Sequence, residues 1–180
     1  ITHHKILVAK GCFKVGLYKQ GLLHDMSKYS PTEFWVGAKY YQGTRSPNNA
    51  EREDIGYSSA WLHHKGRNKH HYEYWIDYSM QALPGGMAPV PMPDKYIAEM
   101  IMDRIAASKV YMGDEYTDRS PLDYYYQGTD RAPIHPETKA KLLYVLEMLA
   151  EEGEEKTFRF IKEELVQHKR CMDWHQLEKA

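Results

Sequence analysis

Apolar residues recur along this chain at spacings of three and four, and strand-like alternation persists nowhere, so an all-α fold is predicted. His4, Leu7, Val8, Cys12 and Val15 share one face of a helix over residues 2–18, with Thr2 as its cap and His3 turned partly away. Gly16 and Gly21 loosen the chain before a second helix at 20–28, where Leu22 and Leu23 suggest a buried face. Ser30-Pro31 opens a short aromatic helix, Glu33–Tyr41, since Ser is a good cap and Pro suits a first turn. Residues 42–56 read as a loop broken by Gly and Pro that ends in a helical turn at Ala50–Ile55. A helix over 57–64 stops near Gly66, and Asn68 is placed to cap another from Lys69 to Leu83.

Four prolines in residues 84–93 prevent helix and disfavour a central strand. Asp94 then caps a long helix, Lys95–Met112, whose Ile97, Met100, Ile101, Ile105 and Val110 are helically spaced. Residues 113–136 are rich in Tyr, Asp and Pro and read as an ordered loop with short turns. Two helices close the chain, Pro136–Glu152 and Glu154–Glu178, with Gly153 at the joint; their many charges suit cover for the bundle or a homo-oligomer contact. The predicted architecture is an irregular helical bundle, with 1–112 as its core and 113–180 packed on it as part of one domain.

Composition narrows the picture. At 180 residues and net charge −1 the chain can bury a real core, and the neutral balance argues against binding nucleic acid by phosphate neutralisation. The short basic patch Lys65-Gly-Arg67-Asn-Lys69 reads as solvated surface. No apolar run has membrane length and no charged-then-apolar leader opens the chain. Cys12 and Cys171 are far apart, which fits a reduced, cytoplasmic protein without a disulfide frame. Tyrosine is abundant at 15, and seven of the ten histidines fall within the first 71 residues.

That histidine bias points to the candidate chemistry. In Gly21-Leu22-Leu23-His24-Asp25-Met26-Ser27-Lys28 a carboxylate follows apolar residues, where burial without a partner is expensive. A divalent metal removes that penalty, because imidazole and carboxylate are both good ligands. His4 lies on the apolar stripe of the first helix. The pairs His63-His64 and His70-His71 flank a Gly-containing turn that can fold one over the other. Asp103 stands in an otherwise apolar helix and needs either an arginine or a metal.

Taken in order, His4, His24-Asp25, the two His pairs and Asp103 resemble the HD-domain superfamily of metal-dependent phosphohydrolases. Lys28 matches a lysine that the family often has at that offset, and Trp61-Leu62-His63-His64 resembles a segment of two-metal members in a way that favours His64. The resemblance covers roughly residues 1–112 and extends to a group of uncharacterised bacterial proteins. It departs from the family in the closeness of the two His pairs, only seven residues apart, and leaves open which histidine of each pair binds.

The resemblance implies one metal held by His4, His24, Asp25 and Asp103, and a second bridged by Asp25 and held by His64 and His71. Iron or manganese is favoured, with zinc, magnesium, nickel or cobalt as alternatives. It implies hydrolysis of a nucleotide or another small phosphate ester, with Asp25 and Lys28 in the catalytic machinery. Lys28, with Lys65 or Arg67, would meet the phosphate charge. Tyr40, Tyr41, Tyr57, Tyr72 and Tyr74 cluster near the His segments, as packing or as a stack for a base. Two other classes stay open: a di-iron oxygenase of the same family, and a non-catalytic His-rich metal-binding bundle.

Overall fold

A computed structural model describes residues 1–43, 45–80, 84–128, 131–169 and 174. The fold is all-α, with eight α-helices among the described residues. In order they are α1 (Thr2–Lys14), α2 (Tyr18–Leu23), α3 (Pro31–Lys39), α4 (Pro47–Ile55), α5 (Ser59–Lys65), α6 (Asp94–Met112), α7 (Ser120–Tyr126) and α8 (Pro136–Phe160). No helix is long and apolar enough to cross a membrane among the described residues.

Helix α6 is the axis of the molecule. Its Ile97, Met100, Ile101, Met102 and Ile105 are buried against Val8 and Cys12 of α1 and against Leu142, Leu146 and Leu149 of α8. Val110, on the same predicted stripe, is exposed, because the last turn of α6 runs past the core. One apolar cluster extends from Val8 to Leu165 and draws on both halves of the chain. Helix α8 breaks at Gly153 (φ 80°, ψ 172°), a conformation few other residues tolerate, and the chain goes on as a π-helical turn, Ile161–Val166. The end of the predicted last helix, beyond residue 169, lies mostly outside the described residues, as does Cys171.

The capping signal at α3 is read as expected, and α5 has a cap of the same kind. Ser30 Oγ accepts from the Glu33 amide with Pro31 in the first turn, and Ser58 Oγ accepts from the Trp61 amide. Several expectations are corrected. The second helix ends at Leu23 rather than 28, and Leu22 and Leu23 are 62% and 57% exposed. The buried face of α2 is instead Gly21, whose missing side chain lets α2 lie against α1; a Cβ there would stand 3.0 Å from Cys12 Cβ. Residues 47–55 form a full helix and not a single turn, and residues 120–126 form α7 inside the expected loop.

The helix expected over Lys69–Leu83 does not form. Tyr72–Trp75 is a 3₁₀ turn, and Ile76–Tyr78 (β1) pairs antiparallel with Met87–Pro89 (β2), Ile76 opposite Pro89; residues 81–83 lie outside the described ones. A strand of three residues is too short to show alternation, and proline is tolerated in it because it lies on an edge. Asn68 therefore caps no helix. Asp94 is the first residue of α6, where its side chain makes no capping bond and pairs with Lys141 instead.

Candidate metal centre

Four segments converge on one buried point: the start of α1, the corner after α2, the end of α5 with the turn behind it, and the middle of α6. The corner carries His24 and Asp25. Adjacent residues on a helix point about 100° apart, but α2 ends at Leu23, His24 lies just beyond it, and Asp25 takes a left-handed conformation (φ 53°, ψ 28°), which Asp tolerates better than most residues. Both side chains then face one place, with His24 Nε2 3.2 Å from Asp25 Oδ2. Lys5 holds the corner, donating from Nζ to the carbonyl oxygens of Leu22 (3.0 Å) and His24 (2.8 Å).

The other groups gather around that carboxylate. Asp25 Oδ1 lies 3.3 Å from His64 Nε2 and 3.4 Å from His70 Nε2. His64 Nε2 is 2.9 Å from His71 Nε2. On the far side His4 Nε2 is 2.8 Å from Asp103 Oδ1, which is also 3.5 Å from His24 Nε2. Two donor sets share Asp25: His4, His24, Asp25 and Asp103, and Asp25, His64, His70 and His71; within each set the ligand atoms lie no more than 4.8 Å apart. The structure thus brings His4, His24, Asp25, His64, His71 and Asp103 together and adds His70.

Two glutamates not singled out in the sequence complete the centre. Glu99 Oε1 accepts from Nδ1 of both His24 (3.0 Å) and His70 (3.2 Å). Glu33 accepts from Nδ1 of His63 at 2.6 Å and of His64 at 2.8 Å. Their signals were present but ambiguous. Glu99 stands one turn before Asp103, an i,i+4 pair of like charges that a helix does not favour without a shared partner. Glu33 sits where a capping box places its glutamate, which gives it a local explanation.

The electrostatics follow from four carboxylates packed among imidazoles. Burial favours the neutral forms of Asp25 and Asp103, yet the cations around them win. Lys28 and His24 hold the Asp25 carboxyl well below its usual range, and His24 and His4 do the same for Asp103. Burial also works against charge on His24, but the Asp25 carboxylate and the closeness of Asp103 and Glu99 push its pKa up to about 11. His64 is raised by Asp25 and Glu33 despite its burial, whereas burial and the neighbouring His70 keep His71 well below the usual histidine value.

Even so, His24 Nε2, His70 Nε2 and both oxygens of Asp25 are buried without a well-formed hydrogen bond. Lone pairs left facing one point among anionic and imidazole donors are what a divalent cation satisfies, so the donor set fits a metal. Lys28 Nζ lies 2.6 Å from Asp25 Oδ2, and part of its side chain reaches solvent. Lys65 is half-buried and Arg67 is exposed, its guanidinium donating to the His63 carbonyl; neither is joined to the centre by a hydrogen bond or ion pair. Of the tyrosines, Tyr40 donates to Asp54, while Tyr41, Tyr57 and Tyr74 are exposed. Buried Cys12 lies near Glu99 and Asp103, and burial pushes its thiol far up, so it is an inert core residue.

No curated protein and no solved structure matches the chain. A family model does match it over residues 1–148, a span that takes in every residue of the centre, and the chain belongs to that family, described as a family of unknown function (DUF5662).

Proposed function

We propose that this protein is a metal-dependent phosphohydrolase acting on a nucleotide or another small phosphate ester. The observation that carries the reading is Asp25, whose two oxygens face the Nε2 edges of both donor sets while Glu33 and Glu99 hold imidazole Nδ1 atoms behind them. His4, His24 and Asp103 would hold one divalent ion and His64, with His70 or His71, a second, with Asp25 shared. Iron and manganese suit such a mixed set of imidazole and carboxylate; zinc, magnesium, nickel and cobalt remain alternatives. Bound there, a divalent cation lowers the pKa of a coordinated water and draws charge from a phosphoryl oxygen.

The chain's own residues supply the rest. The glutamates keep the histidines in the tautomer that turns Nε2 to the centre. Lys28, tethered to Asp25 yet reaching solvent, is placed to meet an incoming phosphate and to offset charge on its oxygens. Lys65 and Arg67 remain candidates for longer-range attraction of the same anion.

The His-rich donor set also suits iron in an oxygenase, which is the second reading. One experiment separates the two. Protein loaded with manganese or iron is offered phosphomonoesters, phosphodiesters and nucleotides, and released phosphate or nucleoside is measured beside oxygen uptake. Turnover of a phosphate ester that Asp25→Ala abolishes is the expected result. Metal-replete protein that releases nothing yet consumes oxygen would overturn the hydrolase in favour of the oxygenase, and inactivity in both assays leaves a metal-binding bundle.

A further inference from the structure

We infer that Glu99 is a positioning residue that serves both halves of the metal centre at once, whereas Glu33 serves only one. The inference rests on the metal reading above and deepens it. A single oxygen, Glu99 Oε1, lies 3.0 Å from His24 Nδ1 and 3.2 Å from His70 Nδ1. His24 belongs to the donor set with His4 and Asp103, and His70 to the set with His64 and His71. Each ring therefore spends its Nδ1 proton on the same carboxylate and turns Nε2 toward Asp25, at 3.2 Å for His24 and 3.4 Å for His70. The two rings lie side by side with centroids 4.5 Å apart and planes tilted by 37°.

Glu99 is buried and fixed by the middle of α6, one turn before Asp103. The same helix thus supplies a ligand to one half-site and orients a ligand in each. Glu33 has the same chemistry with a different reach. Its two oxygens take Nδ1 of His64 and of His63, and only His64 belongs to a donor set. His63 is left as a partner of the glutamate alone.

The two carboxylates can be told apart by metal affinity. Metal-free wild-type protein, Glu99→Leu, Glu99→Gln and Glu33→Leu are titrated with Co²⁺, reading the affinity of each site calorimetrically and the coordination of each ion from its visible absorption. Loss of an outer carboxylate that orients a ligand lowers metal affinity by about 10- to 100-fold. Glu99→Leu is expected to weaken both sites by that factor and to alter both cobalt spectra. Glu33→Leu is expected to weaken one site and spare the other. Glu99→Gln keeps an acceptor oxygen without the charge and is expected to weaken both sites by a smaller factor than Glu99→Leu, a graded loss at two sites that a purely structural role would not give; it is also the variant to read if Glu99→Leu fails to fold.

Wild-type protein that binds two ions while Glu99→Leu and Glu99→Gln leave either site unchanged would overturn this inference and spare the metal reading. Wild-type protein that binds one ion overturns the idea of shared support. Wild-type protein that binds none removes both.

Discussion

Asp25 and Lys141 are both charged side chains taken out of water, and the fold treats them in opposite ways. Lys141 Nζ lies 2.7 Å from Asp94 Oδ1 and 2.7 Å from Glu137 Oε1, joining the start of α6 to the start of α8. Burial works against its charge, but those two bonds raise its pKa above the ordinary lysine value. Donors and acceptors there answer one another. Around Asp25 crowd three more carboxylates and the five imidazoles of the donor sets; Lys28 reaches one Asp25 oxygen at 2.6 Å, and four buried atoms still lack a well-formed hydrogen bond. The first cluster is complete as folded and ties two helices. The second is arranged at the expense of local satisfaction, which is expected of a site built to receive a cation.

The sharpest way to break the comparison is Asp25→Ala, which removes the group common to both donor sets. It is expected to abolish metal uptake, whereas Lys141→Met is expected to leave metal content at the wild-type level. Retention of full metal by Asp25→Ala, measured by elemental analysis, would place the metal elsewhere. Lys28→Ala keeps the ligands, so metal content should hold while turnover of a phosphate ester falls by about 100-fold or more, within the range seen for a single charge-stabilising group. Unchanged turnover would remove Lys28 from the chemistry.

A pH series on metal-free protein, followed by thermal melts, tests the electrostatics. Asp25, Asp103, Glu33 and Glu99 titrate below their ordinary values, so the stability they contribute is present above about pH 4 and lost as pH falls further. His24 is raised to about 11, so its contribution is complete below about pH 6.5 and drains away as pH rises toward that value. A divalent ion held by His24 would stand in for that proton, and added metal is therefore expected to flatten the alkaline loss. Melting curves of equal alkaline slope with and without metal would contradict the assignment.

Lys141→Met removes the cation that Asp94 and Glu137 share, both of them partly open to water. Its cost is expected at about 2 kcal/mol, below the figure for a fully buried pair, and denaturant melts measure it. The smallest effect belongs to Lys65→Ala and Arg67→Ala. Neither is bonded to the centre, so each should change KM for a phosphate ester by no more than about threefold and in a salt-dependent way. A loss of kcat in either variant would bring these cations into the site.

Much of this was legible in the chain. The cap Ser30, the long apolar helix around Asp103 and the break at Gly153 are local signals that the fold obeys. His24-Asp25 was readable as an expensive pair, though for a partly wrong reason. Leu22 and Leu23 face solvent, and what buries Asp25 is the left-handed corner that turns it inward. The hairpin of β1 and β2 was hidden because its two strands are three residues long and find each other across a Pro/Gly connector. Glu33 and Glu99 were hidden because their partners are distant: His63 and His64 lie 30 and 31 residues from Glu33, and His24 lies 75 from Glu99. Spacing along one helix does not reveal a carboxylate that acts across three elements.

The most direct measurement is the metal content of wild-type protein purified without chelating resin or added ions, by elemental analysis and then by titration. Two equivalents of iron or manganese are expected, with one equivalent marking a centre in which a single donor set is filled. Protein that carries no metal and takes none up on titration would contradict the central claim and leave the histidines as a structural cluster.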